Sequence, residues 1–207
     1  MRKLSIAIAP AIAVCWVGCS TGAGDGSVWG SVYLPDCDVV DMGYDMNVDF
    51  FAADYFDNTL QIRLQHTGAD QVYSDGLVIL VRDVGDTSSH LGQTRSIEVE
   101  PDLDNFLAED PDAGYPETTP GSPARETLYL NALCPGNRYA FTDGAGRITF
   151  RSIYVPDEQK RIAGEFELRF VDPREWESPE DIGPHAELFG EFDFNFTRGS
   201  PAQTFPK

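Results

Sequence analysis

The sequence predicts an all-β fold, a single antiparallel β-sandwich of about ten strands interrupted by two long loops. Apolar and polar residues alternate along most segments between turn signals, which is typical of strands that bury one face. No segment of the 207 residues keeps the apolar period of an amphipathic helix. Hydrophobic residues make up 42% of the chain, which is enough for the core of one domain. Many short strands of this kind favour a sandwich over a closed barrel.

The first strands follow from alternation and from one turn. Residues 28–34 form the first predicted strand, and residues 44–50 carry apolar side chains at even positions. Asp57-Asn58 suits a two-residue hairpin turn before the strand at residues 60–64. That turn aligns three apolar pairs, namely Phe51 with Leu64, Ala53 with Ile62 and Tyr55 with Leu60. Because the inward side chains change from even to odd numbers, we predict a β-bulge or bend at Phe50-Phe51.

The later strands are predicted from the same alternation. Residues 77–81 are apolar at every position, which predicts a central strand covered on both faces. Residues 166–170 and 192–196 place phenylalanine or leucine at every even position, with polar residues between them. The remaining predicted strands are residues 96–100, 127–133, 139–142 and 147–155.

Two long loops interrupt the predicted strands. Residues 101–127 are rich in proline and in acidic side chains, and residues 172–185 contain Trp176. Loops of this length are usually either functional or mobile. We expect Trp176 to cover part of the core, and the alternative is that it stacks on a sugar ligand.

The N-terminus has the pattern of an export signal. Two basic residues precede an apolar run, residues 4–17, which is too short to cross a bilayer as a helix. The run ends in Val17-Gly18-Cys19, which resembles the lipobox of bacterial lipoproteins, although Trp16 stands where leucine is usual. The resemblance implies cleavage before Cys19, a thioether to diacylglycerol and, with Ser20 next, sorting to the outer membrane. The alternative is an ordinary cleaved signal in which Cys19 has no such role.

This resemblance divides the chain into three parts. Residues 1–18 are the predicted signal peptide, residues 19–27 a lipidated cysteine with a flexible tether, and residues 28–207 the sandwich domain. Removal of the signal and lipidation of Cys19 leave two cysteines, Cys37 and Cys134. In an oxidising compartment these two can form one internal disulfide, and the alternative is a pair of buried thiols.

The charge excludes some partners and suggests one ion. The net charge is -19, so the chain is not expected to bind nucleic-acid phosphates or anionic lipid headgroups. The simplest interpretation of this excess is a solvated acidic face that keeps an exported monomer soluble. The alternative is calcium, because clustered aspartates on loops supply the oxygen ligands that it prefers. The candidate ligands with suggestive spacing are Asp36, Asp38, Asp110 and Asp112.

The sequence contains no motif of a known catalytic site. The three histidines, His66, His90 and His185, are scattered, and we expect structural or surface roles for them. We therefore predict no catalytic residue and no cofactor apart from the calcium alternative. The predicted function is that of a lipid-anchored, non-enzymatic binding or structural module of the bacterial envelope, with a protein or glycan partner. The alternative is a carbohydrate-binding or carbohydrate-active domain that uses surface carboxylates and Trp176.

Overall fold

The computed structural model describes residues 20–66, 73–97, 124–135, 139–142, 144–172 and 183–196. Within these residues the chain forms eleven strands, one short α-helix and one 3-10 turn. Two antiparallel layers pack together, so the predicted all-β sandwich is confirmed. In these same ranges no helix has the length and apolar character needed to cross a membrane.

The strands are defined by the following bounds. They are β1 (Ser20–Leu34), β2 (Val39–Asn47), β3 (Phe50–Phe56), β4 (Thr59–Gln65), β5 (Asp75–Val81), β6 (Thr94–Ile97), β7 (Ala124–Leu130), β8 (Tyr139–Thr142), β9 (Ala145–Ser152), β10 (Arg161–Val171) and β11 (His185–Phe196). Helix α1 (Val84–Ser89) follows β5, and the 3-10 turn (Pro35–Cys37) follows β1.

Strand β1 joins the two layers of the sandwich. Hydrogen bonding runs in the order β6-β9-β10-β11-β1-β3-β4-β5-β7-β8, and β2 pairs with β1 outside this path. Ser20 to Gly22 pair with β3, whereas the later part of β1 pairs with β2. Phe141 of β8 and Phe170 of β10 are distant in this order, yet their ring centroids lie 6.1 Å apart. The sheet therefore folds over, and its two halves face each other across one core.

The predicted hairpin is confirmed residue by residue. Asp57 and Asn58 have φ values of 47° and 60°, as a primed two-residue turn requires. The three predicted apolar pairs of β3 and β4 are all present. The predicted bend falls two residues earlier, because β2 ends at Asn47 and β3 begins at Phe50. The inward side chains change parity where the chain passes from one layer to the other.

Residues 20–27 were expected to be a flexible tether, and this expectation is wrong. Residues 20–27 form the first half of β1 and pair with β11 from Gly22 onward. Glycine stands at every second position from 22 to 26, and this pattern had indicated a flexible linker. In the folded protein the same glycines allow the strand to pair closely with β11. Gly24 and Gly26 lie directly opposite Phe194 and Phe192, and a Cβ at Gly24 would stand only 2.3 Å from the Cβ of Phe194. Gly24 therefore makes room for the core Phe194 of β11, and Gly26 makes room for the ring of Phe51 of β3.

Three further expectations need correction. No helix was predicted, because the six residues of α1 are too few to show the apolar periodicity of a helix. The helix begins at an N-cap, Asp83, whose Oδ1 accepts a hydrogen bond from the Asp86 N–H at 2.8 Å. The loop expected at residues 101–127 ends earlier, since β7 begins at Ala124. Strand β5 is fully covered on its inner face, whereas Val78 and Leu80 on its outer face are only half-buried.

The disulfide between Cys37 and Cys134 is confirmed, and it closes a loop of 97 residues. It ties the 3-10 turn after β1 to the turn after β7, so it links the two layers at one end of the sandwich. Cys134 is buried in the core, and its N–H donates to the carbonyl of Leu130 at 3.0 Å.

Candidate functional site

An open groove crosses the outer face of the layer formed by β1, β11, β10 and β9, with β6 at its edge. Its volume is about 400 Å³. Ten residues line it, namely Trp29, Thr94, Arg147, Thr149, Glu165, Phe166, Glu167, Phe189, Gly190 and Glu191. They come from five strands that are adjacent in the sheet, so strand register alone brings them together.

The first row of the groove floor contains its aromatic residues. Trp29 of β1 lies opposite Phe189 of β11. Phe189 in turn lies opposite Glu167 of β10, and Glu167 lies opposite Arg147 of β9. Alternate residues of a strand point to the same face, so these four side chains form one outward line. The line is apolar at the β1 end and charged at the β9 end.

The second row is polar. Glu191 of β11 lies opposite Glu165 of β10, which lies opposite Thr149 of β9. Thr149 lies opposite Thr94 of β6, and their hydroxyl oxygens are 2.9 Å apart. The row thus offers carboxylates, which only accept hydrogen bonds when ionised, and hydroxyls, which both donate and accept.

Trp29 and Phe189 form a half-exposed aromatic pair. They are 45% and 41% exposed, whereas Phe192, Phe194 and Phe196 of the same strand β11 are at most 1% exposed. Phe189 is odd-numbered in a strand whose even-numbered residues form the core. The packing of the sandwich therefore does not require an aromatic side chain at either position.

Four cross-strand ion pairs cover the same face. They are Arg147–Glu167, Arg151–Glu165, Arg161–Asp193 and Arg169–Glu187. The hydrogen bonds from Arg161 hold the pKa of the Asp193 carboxyl below its ordinary value. All eight side chains are at least 40% exposed, so each pair contributes little to the stability of the fold.

Among the described residues, Glu191 lies outside these ion pairs, as does Asp25, which faces Asp193 across β1 and β11. In the ranges that the structure describes, Glu191 makes no ion pair within 4.0 Å, although its cross-strand neighbour Glu165 is paired with Arg151 at 3.7 Å. Two carboxylates directly opposite each other on a sheet repel. Stability alone does not favour this placement, and such placements are expected at functional sites.

A second polar cluster lies inside the sandwich and has a structural role. The buried Asp75 accepts backbone N–H bonds from Ala132 at 2.8 Å and Leu133 at 3.1 Å, and a hydroxyl bond from Tyr44 at 3.3 Å. Burial raises the pKa of Asp75, although these three hydrogen bonds act in the opposite direction. Burial likewise raises the pKa of Tyr44. The cluster holds the turn that leads to Cys134.

Of the four aspartates that the sequence put forward as calcium ligands, the structure describes two, Asp36 and Asp38. Asp36 lies in the 3-10 turn and Asp38 follows it, and both are exposed. Among the described residues, no three side chains of His, Cys, Asp or Glu are placed to hold a metal ion. The other candidates, Cys19, Asp110, Asp112 and Trp176, lie outside the described residues.

The histidines have the contacts of structural residues. Nδ1 of His66 lies 2.7 Å from the carbonyl oxygen of Asn47. Nδ1 of His90 and Nδ1 of His185 each lie 2.8 Å from a carbonyl oxygen of their own segments. None of the three lines the groove.

Comparison of the chain with protein-family models, with curated proteins and with solved structures found no match. The groove must therefore be interpreted from its own chemistry. Fold and groove together define an all-β sandwich with a mixed aromatic and acidic groove on one open sheet face.

Proposed function

We propose that this chain is a lipid-anchored, non-enzymatic binding module of the bacterial envelope, and that it binds its partner through the groove. The observation that carries the proposal is the half-exposed pair Trp29 and Phe189 on the outer face of β1 and β11. Large apolar side chains grouped beside polar ones are typical of binding sites. A groove of about 400 Å³ also falls in the size range of small-ligand sites.

Binding is favoured over catalysis by the openness of this face. Glu165 and Glu191 are the only facing pair of carboxylates in the groove lining, and a glycosidase would need such a pair. The side chain of Glu165 is 60% exposed. A general acid is normally held in dry surroundings that favour its protonated form. An open, water-washed pair is better suited to hydrogen-bonding a ligand.

The anchor is supported by the sequence around Cys19. We expect the mature protein, isolated from native membranes, to begin with a diacylglyceryl cysteine, because the signal ends in a lipobox-like segment. Mass spectrometry of the N-terminal peptide measures this directly. The Cys19→Ala variant should leave the membrane fraction. A mature chain that begins at another residue would contradict the anchoring part of the proposal.

The groove is tested separately by co-sedimentation. The full mature protein in detergent is mixed with two purified envelope fractions that contain no lipid bilayer, namely sacculi and extracted envelope proteins coupled to beads. We expect retention by at least one fraction and a loss of about tenfold or more for the Trp29→Ala/Phe189→Ala double variant.

The matched control is Phe56→Ala, because Phe56 is 50% exposed and lies outside the groove lining. It should bind like the unmodified protein. Equal retention of the double variant and the unmodified protein would show that the groove is not the binding site.

A further inference from the structure

We infer that the ligand of the groove is a carbohydrate, and specifically a neutral or amino-bearing oligosaccharide. This inference rests on the proposed function, since it names the class of ligand that the same groove takes. It is carried by the juxtaposition of a half-exposed aromatic pair, a carboxylate without a cation and hydrogen-bond donors within one small groove.

The aromatic pair fits one face of a sugar ring. Trp29 and Phe189 are direct cross-strand neighbours, so their Cβ atoms stand about 5 Å apart on one face. A pyranose ring carries several C–H groups on a face, and these pack against aromatic surfaces. An indole and a phenyl ring on adjacent strands offer two apolar surfaces on one face, with the indole N–H as an additional donor.

The rest of the groove fits the rim of the same sugar. Each sugar hydroxyl both donates and accepts hydrogen bonds, so its site needs both kinds of partner. Glu191 and Glu165 accept, Arg147 donates, and the hydroxyls of Thr94 and Thr149 do both. Glu191 lies on the same strand as Phe189 and Glu165 lies on the next strand, whereas Arg147 and Thr149 lie two strands from Phe189 and Thr94 lies three strands from it.

The size of the site argues against a protein as the ligand. A stable protein interface buries roughly 800 Å² on each partner around a largely apolar centre. In the groove lining only Trp29 and Phe189 are large, apolar and exposed, and acidic side chains surround them. The groove volume of about 400 Å³ suits one or two sugar rings.

The charge of the site selects among carbohydrates. Three carboxylates and one guanidinium line the groove, and that guanidinium, of Arg147, is engaged with Glu167. Glu191 carries charge that no neighbouring cation balances among the described residues. Anionic sugars are therefore repelled, whereas an ammonium group on a sugar would complete the ion pair that Glu191 lacks.

The test is calorimetric titration of the full mature protein in detergent with defined oligosaccharides. The probes are a neutral N-acetylglucosamine oligomer, a glucosamine oligomer with free amines and an oligogalacturonate, and oligolysine is the non-carbohydrate control. We expect the first two to bind and the oligogalacturonate to bind at least about tenfold more weakly. Added salt should weaken binding of the amine oligomer and leave the neutral one unchanged.

Four variants locate the binding. Trp29→Ala should lower the affinity about tenfold or more, Trp29→Tyr should restore part of it, and Phe56→Ala should change nothing. Glu191→Gln should reduce binding of the amine oligomer more than that of the neutral oligomer. Circular dichroism and the melting temperature of each variant separate loss of binding from loss of fold.

Three results would overturn the inference. They are tightest binding of the oligogalacturonate, binding of oligolysine with no binding of any oligosaccharide, and oligosaccharide binding that is indifferent to Trp29→Ala. If none of these sugars binds while co-sedimentation still depends on Trp29 and Phe189, the carbohydrate assignment fails and the proposed binding function stands. If co-sedimentation is also indifferent to both residues, both proposals fail.

Discussion

The groove face and the cluster around Asp75 differ in how their polar side chains are exposed to water. On the groove face, charged side chains pair across β9, β10 and β11 in open water. Around Asp75, by contrast, polar groups are withdrawn from water and bonded to one another and to the backbone. Exposed pairs contribute little to stability, whereas a buried network is costly to break because its groups lose their partners and regain no water. The groove face can therefore change its chemistry without loss of the fold, and the Asp75 cluster cannot.

The largest expected effect is that of the disulfide beside the buried cluster. Replacing Cys37 and Cys134 together by alanine removes a link that closes 97 residues. The unfolded chain then gains entropy, and we expect the free energy of unfolding to fall by about 4–5 kcal/mol. Urea unfolding of the double variant measures this, with the reduced unmodified protein as the control. A loss below about 1 kcal/mol would show that the cross-link is not needed by the fold.

The next effect is that of Asp75 itself. Asp75→Ala leaves the N–H groups of Ala132 and Leu133 and the hydroxyl of Tyr44 without their acceptor. We expect a loss of about 3 kcal/mol in the free energy of unfolding. Asp75→Asn keeps one acceptor oxygen and should lose less. Equal losses in the two variants would mean that the hydrogen bonds to the turn are not what stabilises this region.

The pH dependence of stability should differ in sign between the two regions. Burial raises the pKa of Asp75, so the folded state holds its proton more tightly than the unfolded state does. The stability of the protein relative to Asp75→Asn should therefore fall as the pH rises above about 3.9, the ordinary aspartate value. Asp193 has the opposite behaviour, because Arg161 lowers its pKa. Asp193 stabilises the folded state fully above about pH 3.9. This stabilisation is lost as the pH falls through the lower pKa that Asp193 has in the folded protein.

Urea unfolding between pH 3 and pH 7 compares Asp75→Asn and Asp193→Asn with the unmodified protein. The two difference curves should slope in opposite directions. Parallel curves would contradict the distinction between a buried and an ion-paired carboxyl.

The smallest expected effect is that of Glu191. Glu191→Gln removes the repulsion with Glu165 and should raise the free energy of unfolding by a few tenths of a kcal/mol at low salt. The same change should weaken binding of an amine-bearing ligand. Arg147→Gln is the matched control on this face and should cost less than about 1 kcal/mol. A destabilised Glu191→Gln variant would show that this carboxylate supports the fold rather than the ligand.

The sequence predicts those features that depend on a residue and its near neighbours. Asp57-Asn58 defines its turn locally, and the turn then determines every pair of β3 and β4. The phenylalanines at 192, 194 and 196 identify the core face of β11 by parity alone. The disulfide follows because Cys37 and Cys134 have no other partner once the N-terminal cysteines are assigned elsewhere.

The groove could not be predicted in the same way, because it depends on which strands are neighbours. Trp29 and Phe189 are 160 positions apart and meet only because β1 pairs with β11. One signal was present in the sequence, namely an aromatic residue on the polar parity of each strand. The first half of β1 was missed for the converse reason, since Gly24 and Gly26 indicate a linker until the phenylalanines that pack against them, Phe194 and Phe51, are known.

Strand β1 also determines how the protein would bear a mechanical load. From Gly22 to Tyr33 it is paired with β11 without interruption. A pull along β1 at its N-terminal end, opposed at the His185 end of β11, loads this whole ladder of hydrogen bonds at once, in shear. A pull between the Gly22 and Phe196 ends would instead open one pair after another, and single-molecule pulling in the two geometries would measure the difference in unfolding force.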